Sequence, residues 1–188
     1  MKSIAYHILD IAQNAIQAKG TEVEVFIEEF DSNGTLRIII TDNGKGMTKD
    51  QAEHASDPYF TSRHTRKVGM GLPLLRQNAE RTGGDFELES EVGKGTSVKA
   101  LFVKDNIDCP SKGDIAGTIH QLITSNSTID FNFCYNKNGN KFELNTKELK
   151  EVLDGTPLYQ KEISGYIREM IEENLKDIQA TDDFSYKT

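Results

Sequence analysis

Cysteine is scarce in this chain of 188 residues, and long apolar runs are absent. The two cysteines, Cys109 and Cys134, stand far apart without a CxxC pair, which excludes a disulfide framework or a zinc ribbon and predicts two free thiols. No apolar run reaches the length of about 18 residues that a membrane-spanning helix needs, and the mean hydropathy is -0.54. The sequence also opens without an apolar signal core. We therefore expect a soluble, cytoplasmic protein.

Positive charge is also in short supply. The chain has 22 basic and 30 acidic residues, which gives a formal net charge of -8, and most of the excess negative charge lies after Lys104. An acidic surface repels phosphate groups. This composition argues against nucleic acid as a partner, and the lack of a membrane-spanning run leaves no membrane partner to expect.

In residues 1–104, segments with apolar residues at helical spacing alternate with segments that have the pattern of β-hairpins. Apolar residues from Ile4 to Ala15 recur at helical spacing, and Gly20 is positioned to end that helix. The order of the elements, with both main helices needing one common sheet face, predicts a two-layer α/β sandwich. The predicted elements are a helix at 3–19, strands at 21–30 and 35–41, a long loop at 43–71 with one short helix near 49–55, a helix at 72–81, and strands at 85–91 and 96–103.

After a linker at residues 105–113, the chain predicts a small α+β domain at residues 114–180. We expect this unit to close its own core, with docking on the first domain or dimerisation as alternatives. Residues 181–188 are expected to form a frayed tail. The predicted elements are a helix at 114–125, a hairpin of 129–135 and 141–144, a short helix opened by Thr146, and a long helix at 161–178 with Ile163, Ile167, Ile171 and Leu175 on one face.

The end of the second predicted strand carries a candidate purine pocket. Asp42 follows the strand, and Gly44 and Gly46 come directly after it. A carboxylate there can accept a hydrogen bond from an exocyclic amine, while the glycines leave room for a flat ring. The same run also makes an ordinary turn, so this motif alone leaves both interpretations open.

The first helix carries a polar stripe beside its apolar face. His7, Asp10 and Asn14 lie at positions i, i+3 and i+7, and so on one side of the helix. The neutral amide oxygen of Asn14 suits Mg²⁺, which prefers oxygen ligands and shares them with substrate phosphates. Asp10 could polarise a water or a hydroxyl toward a terminal phosphate. The alternative is that the stripe is only the solvated side of an amphipathic helix.

The long loop ends in a candidate phosphate-binding lid. It contains the run Asp57-Pro58-Tyr59-Phe60-Thr61-Ser62-Arg63, in which an apolar anchor, hydroxyls and a cation occur together. Gly69 and Gly71 then directly precede a predicted helix, whose N-terminal N–H groups attract anions. A basic lid in an acidic chain predicts a bound polyphosphate.

Four segments in this order resemble one known family: HILDIAQNAIQA, TDNGKGM, DPYFTSRHTRKVGMGLPLL and GKGTSVKALF. They are similar to the ATP-binding domain of the GHKL superfamily, which includes DNA gyrase, a heat-shock chaperone, histidine kinases and MutL-type mismatch-repair ATPases. The resemblance covers residues 3–104 and is strongest to the histidine-kinase catalytic domain. It implies a Bergerat fold with ATP and Mg²⁺ as ligands.

The resemblance also implies a role for each matching residue. Asn14 would be the Mg²⁺ ligand, Asp42 would accept from the adenine amino group, and Asp10 would stand where hydrolytic members carry a general base. Arg63 would contact the γ-phosphate, and Thr96 would support the adenine end through its hydroxyl. The remaining implied contacts, which shape the adenine pocket or form the lid and phosphate site, are Gly44, Gly46, Phe60, Gly69, Gly71 and Leu72.

Histidine kinases carry a dimerising helical hairpin with a phospho-acceptor histidine before the ATP domain, and this sequence shows no such segment. We therefore expect a stand-alone kinase module that binds Mg-ATP and passes the γ-phosphoryl group to a separate partner protein. Two alternatives stay open: an ATP-driven conformational switch with slow hydrolysis, and a nucleotide-binding regulatory module without turnover. A homodimer is also left open.

Overall fold

The computed structural model describes residues 3–57 and 70–180. Its helices lie close to the ranges predicted from apolar spacing, because each buries one apolar stripe. In chain order the elements are α1 (Ile4–Gln17), β1 (Glu22–Phe30), β2 (Thr35–Asp42), α2 (Lys49–Ala55), α3 (Gly71–Arg81), β3 (Asp85–Glu91), β4 (Gly95–Val103), α4 (Ile115–Ser125), β5 (Asp130–Lys137), β6 (Asn140–Asn145), α5 (Thr146–Val152) and α6 (Lys161–Ala180).

The strands form a six-stranded mixed sheet in the order β3-β4-β2-β1-β5-β6. Strand β1 pairs with β5 in parallel, and the other neighbours pair antiparallel. Buried residues alternate along the central strands, for example Val23, Val25 and Ile27 in β1, so one face of the sheet is packed against helices. The predicted α/β sandwich is confirmed.

The expectation that residues 114–180 close a core of their own differs from the structure. Strand β5 hydrogen-bonds to β1, with Phe133 opposite Val25, and both side chains belong to the same core cluster as the first domain. Helix α6 buries Ile167 and Ile171 in this shared core. The boundary between residues 104 and 114 remains a prediction about domain organisation, but the two parts share one sheet.

The predicted linker, residues 105–113, lies against the start of α1. The first amides of that helix, from Ile4 and Ala5, donate to the carbonyl oxygens of Ser111 and Lys112 at 2.9 Å each. These bonds satisfy N–H groups that a helix cannot pair internally. The segment therefore acts as a strap, called here the 105–113 strap, between β4 and α4.

A buried carboxylate anchors this strap to the sheet. Glu29 in β1 is 3% exposed, and it accepts from the Tyr135 hydroxyl at 2.7 Å, Lys104 Nζ at 3.1 Å and Lys112 Nζ at 2.6 Å. Burial raises the pKa of the Glu29 carboxyl, but the hydrogen bonds from Lys112, Tyr135 and Lys104 outweigh it and hold the pKa below its ordinary value. The hydrogen bond from Lys104 also lowers the pKa of Asp31 to about 2. We call Glu29 and its three donors the Glu29 cluster.

Two further expectations can be compared with the described residues. Within residues 3–57 and 70–180, no helix combines the length and apolar character that crossing a bilayer requires. Cys109 and Cys134 are both free thiols, as predicted.

Candidate functional site

The candidate site is built on one cross-strand row at an end of the sheet. Asp42, the last residue of β2, lies opposite Thr96 in β4, and Thr96 lies opposite Ser90 in β3. Side chains alternate along a strand, so Asp42 shares the face of Ile40, which is buried under the helices. The row therefore places a carboxylate and two hydroxyls side by side on the helix-covered face of the sheet.

The Asp42 carboxylate is half-buried and held by backbone amides. Its Oδ1 accepts from the amide of Gly44 at 2.8 Å. Burial raises the pKa of Asp42, and the hydrogen bonds from the amides of Gly44 and Thr96 oppose that rise. The Asp42 carboxylate is therefore a fixed hydrogen-bond acceptor at the end of the row.

The glycines after Asp42 allow the chain to pass close to its neighbours. Gly46 has φ +63°, and a Cβ there would overlap the carbonyl oxygen of Glu91. A Cβ on Gly44 would lie 2.9 Å from the carbonyl oxygen of Ala18. Both glycines are thus required by local packing, and their part in an adenine pocket stays a prediction.

The C-terminal end of α1, the helix that carries the predicted polar stripe, lies against this site. Just past the end of α1, Ala18 accepts from the amide of Lys45 at 2.9 Å, which joins the helix to the loop after Asp42. Asn14 is half-buried one turn earlier, about 6 Å away along the helix. The helical turn that carries Asn14 therefore leads directly to the loop after Asp42, and the convergence of the two side chains on one ligand stays a prediction.

The next part of the stripe meets the beginning of α3. A Cβ on Gly71 would lie 2.5 Å from Oδ2 of Asp10, so the Asp10 carboxylate is packed directly against the first residue of α3. One turn before Asp10, the buried His7 places its Nε2 2.9 Å from Nδ2 of Asn78 in α3. These two contacts set the start of α3 beside Asp10.

The start of α3 offers backbone groups to an anion. No side chain of the described residues caps this helix, and its first N–H groups carry partial positive charge. Leu72 is 6% exposed and its side chain belongs to the core, so only its backbone can serve a ligand. Phe60, Arg63 and Gly69 lie outside the described residues, and their implied roles stay predictions.

Two residues that hold the site together were missed in the sequence. Asn43 Oδ1 accepts from the amides of Thr21 and Glu22 at 2.8 and 3.0 Å and so fixes the loop after Asp42 to the start of β1. Its position directly after a strand and before a glycine is typical of such turns, and could have indicated this. Ser90 contacts Thr96 Oγ1 at 2.9 Å, and nothing in its strand-like surroundings indicates that role.

Comparison with known proteins identifies the family. Residues 2–106 match the family described as histidine kinase-, DNA gyrase B-, and HSP90-like ATPases, and the chain belongs to it. The sensor histidine kinase ZraS of Escherichia coli (strain K12) is 33% identical over 100 residues, which cover 53% of this chain and 21% of that protein. The histidine protein kinase DivJ of Caulobacter vibrioides is 32% identical over 97 residues, which cover 48% of this chain and 16% of that protein.

A solved structure agrees on the fold. A crystal structure described as the N-terminal domain of a DNA repair protein has a TM-score of 0.54 and 16% identity, and the match covers 77% of this chain and 53% of that one. The chain spans about a fifth of the length of the curated relatives it matches. The predicted resemblance is confirmed: the chain contains an ATP-binding, histidine kinase-like catalytic domain.

Proposed function

We propose that this chain binds Mg-ATP between α1, the start of α3 and the Asp42 row, and passes the γ-phosphoryl group to a separate partner protein. The observation that carries the proposal is the contact of α1 with both ends of the site. At one end Ala18 meets the loop after Asp42, and at the other Asp10 meets Gly71.

The base of the nucleotide would lie at the Asp42 end. The Asp42 carboxylate is fixed by the Gly44 amide and offers lone pairs to an exocyclic amine. Thr96 lies directly opposite Asp42 in the next strand and adds a hydroxyl beside it. This arrangement favours a purine that carries an amino group.

The phosphates would lie between the helix stripe and the start of α3. Asn14 would supply an amide oxygen, the kind of ligand that Mg²⁺ prefers, and Asp10 lies one turn away on the same side of α1. Within the described residues no cluster of three or more His, Cys, Asp or Glu side chains could hold a metal, which fits an ion that shares its ligands with phosphates. The ion would supply neutralisation of phosphate charge.

Transfer would depend on position more than on covalent chemistry. The N–H groups at the start of α3 would hold the phosphates together with the ion bound through Asn14. Asp10 would accept the proton of the attacking hydroxyl, imidazole or water. Aspartate reaches one methylene less far than glutamate, which argues against efficient hydrolysis by a free water.

The described histidines support an acceptor on another protein. His7 is completely buried against Asn78. His54 has Nδ1 2.6 Å from the carbonyl oxygen of Asp50, and His120 has Nε2 2.8 Å from the Ser164 hydroxyl. Each of these three rings has one nitrogen in a contact within the fold, which supports our placing the phospho-acceptor on the partner.

Binding is tested with Asp42→Asn, which keeps the shape of the side chain and removes its charge. We expect the dissociation constant for Mg-ATP, measured by calorimetry, to rise by about tenfold or more, because a charged hydrogen bond contributes roughly 1.5–3 kcal/mol. Asp50→Asn, on the exposed face of α2, is the matched control and should bind as the unmodified protein does. An unaltered affinity in Asp42→Asn would show that the pocket is assigned to the wrong residues.

Transfer is tested with γ-labelled ATP and a partner captured in the presence and absence of a non-hydrolysable analogue. A labelled partner supports the kinase, whereas free phosphate without labelled protein supports an ATP-driven switch. Binding without turnover supports a regulatory module. Asp10→Asn should retain ATP binding and lose most turnover, and unchanged turnover would reject Asp10 as the base.

A further inference from the structure

The hydroxyl of Ser90 is the hub of a small polar network beside the candidate base pocket. It accepts from the amide of Met47 at 2.9 Å and lies 2.9 Å from both the carbonyl oxygen of Gly95 and Oγ1 of Thr96. These contacts join three segments: the loop after Asp42, strand β3 and the beginning of β4. Ser90 itself is half-buried, which limits competition by water.

The direction of these hydrogen bonds follows from counting protons. A serine hydroxyl has one proton and two lone pairs. The Met47 N–H takes one lone pair, and the Gly95 carbonyl has no proton, so it needs the one that Ser90 carries. What remains for Thr96 is the second lone pair of Ser90, and the Thr96 hydroxyl must therefore be the donor. Its proton is used inside the protein, so the groups that the Thr96 hydroxyl can still offer to a ligand are its own lone pairs.

We propose that Ser90 is a positioning residue that makes the Thr96 hydroxyl a hydrogen-bond acceptor beside Asp42 and so selects nucleotides with a 6-amino group. Thr96 lies opposite Asp42 across the strands, so the pocket presents two neighbouring acceptors. An amino group carries two N–H donors and can satisfy both, whereas a 6-oxo group offers only lone pairs and is repelled. The inference rests on the proposed binding of ATP and adds how the base is selected.

The test compares the affinities of the whole protein for ATP and for inosine triphosphate, which has oxygen in place of the amino group. Titration calorimetry with Mg²⁺ present is run on Ser90→Ala, Thr96→Val and the double variant. We expect each single change to lower the ratio of ATP affinity to inosine triphosphate affinity by about tenfold, the size of one well-placed hydrogen bond. In the Thr96→Val background, Ser90→Ala should change the ratio no further, because Ser90 acts through Thr96.

Two controls separate positioning from a merely structural role. Ser90→Thr keeps the hydroxyl and should retain the ratio, while Ser97→Ala lies on the opposite face of β4 and should also leave it unchanged. Thermal unfolding of each variant shows whether it is folded at the temperature of the titration.

Two results would overturn the inference. One is a multiplicative loss of the ratio in the double variant, since Ser90 would then act independently of Thr96. The other is a Ser90→Ala protein that binds both nucleotides more weakly by the same factor, since Ser90 would then support only the fold. Failure of the unmodified protein to bind ATP would contradict the proposed function and remove this inference with it, and that result is distinct from either pattern.

Discussion

Replacing Glu29 by glutamine is the sharpest perturbation of the fold, because one carboxylate joins two strands and the 105–113 strap. Glu29 is 3% exposed and accepts from Tyr135, Lys104 and Lys112. Glutamine keeps the length of the side chain, removes the charge and turns an amide N–H₂ toward groups that are themselves donors. At least one of the three donors then loses its acceptor.

The magnitude follows from the burial of the partners. Removing one member of a buried ion pair costs roughly 3–5 kcal/mol when the other charge stays buried. The side chains of Lys104 and Lys112 are 18% and 35% exposed, so both can recover part of their hydration. We expect Glu29→Gln to lower the free energy of unfolding by about 2–3 kcal/mol.

Urea unfolding followed by circular dichroism measures this loss, and the neighbouring residue provides the control. Glu28 points to the opposite face of the same strand, where its side chain is 15% exposed, and pairs at 2.8 Å with Arg37, whose side chain is 47% exposed. We expect Glu28→Gln to cost about 1 kcal/mol, less than Glu29→Gln, because it removes one ion pair whose cation keeps its contact with water. Equal losses for the two variants would refute the assignment of Glu29 as a buried anchor.

The pH dependence gives a second measure of the same cluster. The folded pKa of Glu29 is lowered, so the stabilisation is complete above the ordinary carboxyl pKa and is lost as the pH falls through the folded value. The difference in stability between the unmodified protein and Glu29→Gln should therefore be full at neutral pH and shrink below about pH 4. A difference in stability between the two proteins that grows as the pH falls would contradict a lowered folded pKa of Glu29.

Two glycine substitutions test different properties: Gly71→Ala should weaken nucleotide binding, whereas Gly165→Ala should increase the stability of the fold. Gly71→Ala places a Cβ 2.5 Å from Oδ2 of Asp10, so either Asp10 or the start of α3 must move. If the phosphates bind there as we propose, Mg-ATP binding should weaken by about tenfold in calorimetry, and unchanged affinity would show that this contact does not shape the site. A Cβ on Gly165, in α6, would have no heavy atom within 4 Å. We therefore expect Gly165→Ala to raise the free energy of unfolding, measured by urea titration, by about 0.5–1 kcal/mol. A lower free energy of unfolding would contradict the open space at this position.

Much of the fold can be predicted from local patterns. The spacing of Ile4, Ile8 and Ile11 predicts α1 to within two residues at its end, because one apolar face must be buried and Gly20 follows the helix. The alternation in residues 85–91 and 96–103 predicts β3 and β4 almost to the residue, since their turn contains two glycines. Local periodicity and turn chemistry were sufficient for these elements.

The partner of each strand could not be predicted in the same way. The alternation of Phe131, Phe133 and Tyr135 shows that β5 has one buried face, but it does not show that the strand lies parallel to β1. Parallel pairing leaves no turn between the two strands in the sequence to indicate it. An independent core was the natural expectation for a hairpin between two helices.

The candidate site, like the fold, could be predicted where local patterns decide it and not where strand pairing does. The stripe of Asp10 and Asn14 on α1 follows from helical geometry, and the family resemblance implies that it lies near Asp42, which stays a prediction. Ser90 could not be recognised, because its importance lies in a register between β3 and β4 that brings it opposite Thr96. Hydrogen bonds that cross strands depend on tertiary alignment, which residue type alone does not reveal.

The parallel pairing of β5 with β1 has a practical consequence for making this protein in pieces. A fragment cut at the family boundary near residue 106 would leave β1 at the edge of its sheet, with one row of N–H and C=O groups unpaired. Val23, Val25 and Ile27 would lose the neighbouring side chains of β5, with which they share one core. Such an edge recruits other chains, so the isolated ATP-binding segment should aggregate on expression unless residues 107–180 are kept with it.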